Sequence, residues 1–162
     1  ELGSDPARTM RRLLAGPKPG EMAPEEASAV FAKGEGGFID RLPEPRGPLP
    51  GWLTQEDLDF YVAEFSRTGF TGGLNWYRNL NANWEHSAHL ADAHITCPTL
   101  FITGASDPVA GFAPVEPGLA YLDDHRGTVS IEGAGHWVQQ ERPDEVNRAL
   151  LGFLDEISDR KA

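Results

Sequence analysis

Three side chains carry the chemistry that can be read from this sequence: a phenol at Tyr77, a carboxylate at Asp107 and an imidazole at His136. The carboxylate and the imidazole each lie a few residues beyond a short apolar run, Thr99-Leu100-Phe101-Ile102-Thr103 for Asp107 and Gly127-Thr128-Val129-Ser130-Ile131 for His136. If both runs are parallel strands, the two residues sit in loops at neighbouring carboxyl ends, where open α/β sheets place their sites. There a carboxylate can orient and stabilise the imidazole, which leaves the other ring nitrogen free to take a proton from water.

What is missing is a nucleophile for that pair to activate. Gly104-Ala105-Ser106-Asp107-Pro108 nearly spells a nucleophile elbow, but Pro108 replaces its last glycine. Such an elbow runs directly from strand into helix, whereas Asp107-Pro108 reads as a loop, so Ser106 is rejected. His86, His89 and His94 lack the cysteine or carboxylate that would complete a zinc set, so neither metal nor cofactor is expected.

The elements that hold these residues follow from pattern. Ser4-Asp5-Pro6 starts a helix whose apolar positions are Met10, Leu13 and Leu14. Residues 17–53 are rich in Gly and Pro and read as a long surface excursion, with one short helix over 24–33. Thr54 to Asp57 resembles a capping box with Asp in the Glu/Gln position, and opens a helix with Leu58, Tyr61, Val62 and Phe65 on one face.

After Thr68-Gly69, a further helix runs through Trp76, Tyr77, Leu80 and Trp84 towards Leu90, with Trp76, Leu80 and Trp84 on one side. On the residues alone, Tyr77 in this setting reads as core packing more readily than as catalysis. The continuous apolar run 99–103 suits a strand buried on both faces in a parallel sheet. A helix over 115–122, the strand 127–131 and an amphipathic helix over 144–157 follow, the last with Val146, Leu150, Phe153, Leu154 and Ile157 facing inward.

Strand, helix, strand, helix is the α/β pattern. Two strands are too few for a stable sheet covered on both faces, so 95–162 is expected to be one edge of something larger.

Composition narrows the partners. The chain has 162 residues, 40% hydrophobic and 24% charged, as in a soluble globular protein. A formal charge of −11 without a Lys/Arg block disfavours nucleic acid, and no apolar run approaches the ~18 residues of a membrane span. The single Cys97 precludes an intrachain disulfide and fits a reducing, cytoplasmic setting; a small buried thiol is expected there. The opening residue is Glu1, which suits a processed or split piece as well as a trimmed one.

Three stretches together resemble one family: Thr68-Gly69-Phe70-Thr71-Gly72-Gly73-Leu74-Asn75-Trp76-Tyr77-Arg78-Asn79, Pro98 to Gly104 with Asp107, and Gly133-Ala134-Gly135-His136-Trp137-Val138-Gln139-Gln140-Glu141-Arg142-Pro143. They are similar to soluble-type epoxide hydrolases of the α/β-hydrolase superfamily, whose acid precedes the histidine in the same order. The histidine motif indicates only the superfamily, whereas Trp-Tyr-Arg-Asn points to epoxide hydrolysis.

The resemblance implies a carboxy-terminal part of that fold, with residues 1–92 as lid and connecting helix and 93–162 as core. It implies His136 as general base, Asp107 as its orienter and Tyr77 as hydrogen-bond donor to the epoxide oxygen. Trp76, Phe70 and Trp137 would wall an apolar substrate pocket. The nucleophilic aspartate and second lid tyrosine would lie on an amino-terminal portion that acts as partner, and the isolated chain would be inactive. The substrate would be a small apolar epoxide, and self-association is left open. The competing readings are a catalytically silent binding or regulatory piece and a related dehalogenase, the latter disfavoured because a departing halide needs no proton.

Overall fold

The computed structural model describes residues 1–16, 30, 36–45, 47–111 and 113–159. The chain divides into two compact units, of which the first takes in the described residues up to Ala93 and the second those from His94 onward.

In the first unit, helix α1 (Pro6–Leu14) starts as its sequence dictates: the Asp5 side chain accepts from the Arg8 amide at 2.9 Å and proline occupies the first turn. Its buried Met10 and Leu14 join Ile39, Leu53 and Leu58 in a small core. Each such side chain contributes on the order of 1.5–3 kcal/mol when fully buried.

The short helix α2 (Phe38–Arg41) is pinned to the start of the chain. The Glu1 carboxylate accepts from the Phe38 and Ile39 amides at 2.9 and 2.6 Å, and Arg12, itself buried, donates to the Ile39 carbonyl and pairs with Glu44. Helix α3 (Gln55–Thr68) carries the capping box in full, because the Thr54 hydroxyl accepts from the Asp57 amide while Asp57 accepts from the Thr54 amide. The α1 and α3 helices pack together. The expected helix over 24–33 lies outside the described residues except for Val30, which is buried and accepts from the Arg41 guanidinium.

The single helix expected through Trp76 to Leu90 is three pieces: α4 (Thr71–Arg78), α5 (Leu80–His86) and a 3₁₀ turn (Ala88–Leu90). At both breaks a side chain shares the carbonyl that also accepts the helical amide of the same residue. Asn79 donates its amide nitrogen to the Asn75 carbonyl at 2.8 Å, and the Ser87 hydroxyl donates to the Asn83 carbonyl at 2.7 Å. Trp76, Leu80 and Trp84 are exposed and are not packed among the described residues.

The second unit is built on two parallel strands, β1 (Thr99–Gly104) and β2 (His125–Ile131), with an irregularity in register between Thr99 and Phe101. The β1 residues are half-buried up to Gly104, so the run reads as a core strand but is only partly covered by the described residues. A 3₁₀ turn (Pro108–Gly111) and the one-turn helix α6 (Glu116–Leu119) connect the strands, shorter than the helix expected over 115–122. Cys97 is exposed rather than buried, because the strand begins only after the Cys97-Pro98 approach.

The last helices are α7 (Val138–Glu141) and α8 (Pro143–Asp159), and α8 lies against both strands. Its more covered positions are Val146, Ala149, Phe153 and Ile157, whereas Leu150 and Leu154 are 43% exposed. The inward face is therefore rotated from the expected one, because the two strands cover only a narrow stripe of the helix. Arg126 joins β2 to α8 by pairing with Asp124 and with Glu156 at 2.9 Å, and these carboxylates raise its pKa.

Candidate active site

The carboxyl ends of β1 and β2 are fastened together by backbone. Ala105 donates to the Ile131 carbonyl and Ser106 to the Ala134 carbonyl, each at 2.9 Å. Gly104 makes this approach possible: a Cβ there would lie 2.2 Å from the Gly135 oxygen and 2.6 Å from that of Ala134. Gly133 turns the second loop with φ at +68°, a left-handed conformation that glycine adopts without the cost a side chain incurs.

The two loops bring Asp107 against His136. The imidazole Nδ1 lies 3.1 Å from Oδ1 and 3.2 Å from Oδ2 of Asp107. A carboxylate can only accept, so Nδ1 carries a proton and donates; in the neutral imidazole the lone pair then lies on Nε2. Asp107 is the more sheltered partner at 17% side-chain exposure against 48% for His136. Its Oδ1 also accepts from the Val109 amide at 2.9 Å, which anchors the carboxylate to the 3₁₀ turn. The Trp137 ring meets the imidazole edge-on, with centroids 5.1 Å apart.

Tyr77, Trp76 and Phe70 belong to the first unit. Tyr77 is 73% exposed on α4, and Trp76 beside it is 79% exposed. Phe70 precedes α4 and stacks on Phe65, with centroids 4.7 Å apart. Asp107, His136 and Trp137 are thus brought together within the second unit. Ser106 sits in a turn and donates its amide to the Ala134 carbonyl, with no strand-to-helix elbow around it.

Two of the three histidines weighed as metal ligands have a ring nitrogen facing another group. The His89 Nδ1 faces the His86 carbonyl at 3.0 Å, and the His94 Nδ1 faces Asp123 at 2.8 Å in the second unit. No group of three or more potential ligands is placed to hold a metal ion among the described residues.

Two residues with no role in the sequence reading stand beside the histidine. Glu141 accepts from the amides of Gly135 and Trp137, and Arg142 donates to the Gly133 carbonyl at 2.9 Å. The available signal was an acid in the first turn after the histidine loop, where carboxylates satisfy unpaired amides.

A profile of the Alpha/beta hydrolase family matches residues 4–149, and the chain belongs to that family. Over 157 residues it is 54% identical to Epoxide hydrolase A of Mycobacterium tuberculosis (strain ATCC 25618 / H37Rv), covering 95% of this chain and 47% of that protein. Among solved structures it resembles Epoxide Hydrolase A from Mycobacterium thermoresistibile, with 55% identity, a TM-score of 0.85, and coverage of 95% of this chain and 47% of that one. An epoxide hydrolase from an endophytic Streptomyces is similar at 41% identity and a TM-score of 0.85, with 98% of this chain and 48% of that one covered. The chain spans about half the length, or less, of the curated relatives it matches. No helix among the described residues is long and apolar enough to cross a membrane.

Proposed function

We propose that this chain is the carboxy-terminal part of an epoxide hydrolase, contributing the water-activating pair and one half of the epoxide clamp. The observation that carries the reading is the Asp107–His136 contact at adjacent strand ends, in a chain 54% identical to a protein named as an epoxide hydrolase. On this reading the first unit belongs to the lid and the second to the hydrolase core. A polypeptide segment preceding Glu1 provides the nucleophilic aspartate, its elbow and the second lid tyrosine. The compartment is the cytoplasm, in keeping with a single unpaired cysteine.

In the first step a carboxylate oxygen of the nucleophilic aspartate attacks one carbon of the epoxide. The ring C–O bond breaks, its electron pair moves to the oxygen, and the Tyr77 phenol hydrogen-bonds to that oxygen and passes its proton to it as charge develops, leaving a phenolate. The product is a covalent ester. In the second step the His136 Nε2 takes a proton from water and the hydroxide adds to the ester carbonyl.

Asp107 stabilises the imidazolium that forms. The acyl C–O bond then breaks and that alcohol oxygen receives the proton from His136; the carboxylic acid left on the nucleophile gives the hydroxide's proton to solvent, which reprotonates the Tyr77 phenolate, so a vicinal diol leaves the regenerated carboxylate. Trp76, Phe70 and Trp137 offer apolar surface to a hydrophobic epoxide. A phenol donor suits a departing alkoxide better than a departing halide, and the names of the relatives favour the epoxide over a dehalogenase or a silent binding piece.

The test is conversion of an apolar epoxide to its diol by the chain joined to the segment that supplies the nucleophile. Turnover should fall by about 10²–10⁴-fold in Tyr77→Phe if the phenol assists ring opening. Absence of diol formation by the unsubstituted protein across a panel of apolar epoxides would reject the reading.

A further inference from the structure

The segment carrying His136 is gripped from outside by one carboxylate. Glu141 Oε2 accepts from the Gly135 amide at 2.8 Å and its Oε1 accepts from the Trp137 amide at 3.0 Å. These are the peptide N–H groups immediately before and after the histidine, so both ends of the residue are tied to a single side chain. A helix-start acid ordinarily reaches back to the N-cap amide. Glu141 meets the amide of the N-cap Trp137 in this way and adds that of Gly135, two residues further ahead of α7.

The neighbouring residue completes the bracket. Arg142 donates from Nη2 to the Gly133 carbonyl and from Nη1 to the Glu141 carbonyl, each at 2.9 Å. A Cβ at Gly133 would lie 2.9 Å from that guanidinium nitrogen, so the arginine packs closely over the turn. The loop from Gly133 to Trp137 is therefore held by Asp107 at the imidazole and by Glu141 and Arg142 at the backbone.

We propose that Glu141 is a positioning residue for water activation. Its carboxylate fixes the peptide groups on both sides of His136, which keeps Nδ1 on Asp107 and holds the direction of Nε2. The inference rests on the reading of His136 as the base. Both carboxylate oxygens are needed as acceptors, and charge-assisted bonds of this kind are stronger than neutral ones. Glutamine is the discriminating substitution because it keeps the shape while supplying one acceptor oxygen and presenting its NH₂ to the other amide.

The first arm of the test uses NMR on the 162-residue chain joined to the nucleophile-bearing segment. In Glu141→Gln, the Gly135 and Trp137 amide protons should shift upfield and exchange faster, and the His136 ring nitrogen signals should change. Resonances of β1 and β2 away from the histidine loop should stay in place, which reports that the second unit is folded. Glu141→Asp, which keeps the charge but is one methylene shorter, should give an intermediate change.

The second arm measures the two half-reactions in single turnover, with the chain joined to the nucleophile-bearing segment. Ester hydrolysis should slow about 10- to 100-fold in Glu141→Gln, the scale expected when a reacting group is displaced by about an ångström, while ester formation is unchanged. Unchanged amide and ring signals would overturn the grip. Altered signals with unchanged ester hydrolysis would overturn the positioning role. If the unsubstituted protein forms no diol, the epoxide reading fails, and unchanged His136 ring signals in the variant would separately overturn the claim that Glu141 orients the imidazole.

Discussion

Gly104 at the end of β1 lies so close to Gly135 that a Cβ would fall 2.2 Å from the Gly135 carbonyl oxygen. The contact is backbone against backbone, so no flexible side chain can yield. It sets the separation of the loop bearing Asp107 from the loop bearing His136, because Asp107 begins three residues after this glycine and His136 directly follows the other. Gly104→Ala should therefore act on stability and site together. Overpacking of this kind costs about 1–3 kcal/mol, to be read by chemical denaturation. Ester hydrolysis should fall with it, since the Asp107–His136 contact must open to admit the methyl.

Asp107→Asn should leave the fold nearly intact and remove base catalysis. The Asn oxygen can still accept from the Val109 amide, as Asp107 Oδ1 does at 2.9 Å. Its NH₂ then faces His136 Nδ1 and selects the tautomer protonated at Nε2, which cannot accept a proton from water. A loss on the order of 10³–10⁴-fold in ester hydrolysis is expected, with the melting temperature little changed. Measuring single-turnover rates alongside a thermal melt checks both.

Acid should weaken the first unit through two identified carboxyls. The Arg8 hydrogen bond holds Asp40 below its ordinary value of 3.8, and the Thr54 hydroxyl and amide do the same for Asp57. A depressed carboxyl contributes stability that is fully present above its unfolded value and is lost as pH falls through the lower folded value. Both contributions should be flat from about pH 5 to 8 and fade progressively as pH falls below about 4. Denaturation midpoints against pH should show a shallower acid limb in the Asp40→Asn, Asp57→Asn double variant. Both groups are exposed, so added salt should shrink the Asp40–Arg8 part.

Thr54→Ala removes the hydroxyl that accepts from the Asp57 amide at 3.1 Å and donates to its carboxylate at 2.6 Å. The expected loss is about 1 kcal/mol, the usual scale for an N-cap, measured as a shift in the denaturation midpoint.

The placement of Asp107 and His136 was legible because each follows a short apolar strand, and parallel strands bring their carboxyl ends to one edge. The start of α3 was equally plain in Thr54 and Asp57, whose bonds span only three residues. Legibility ended where long-range geometry decided. The breaks at Asn79 and Ser87 leave no mark in helical spacing, since the apolar positions keep their period through both. Leu150 and Leu154 have the periodicity of an inner face, but two strands cover only the stripe through Ala149 and Phe153. Glu141 was hidden for a related reason: its partners are amides four and six residues back, and only the path of the loop brings them to its oxygens.

The division of labour between nucleophile and base is tested most directly by His136→Gln in the chain joined to the nucleophile-bearing segment. Mixed with an apolar epoxide and examined by intact mass, this variant should accumulate one substrate-sized adduct on the added segment and release almost no diol, because the ester forms but water is not activated. Steady diol formation at the unsubstituted rate, with no adduct, would contradict the assignment of His136 as the base.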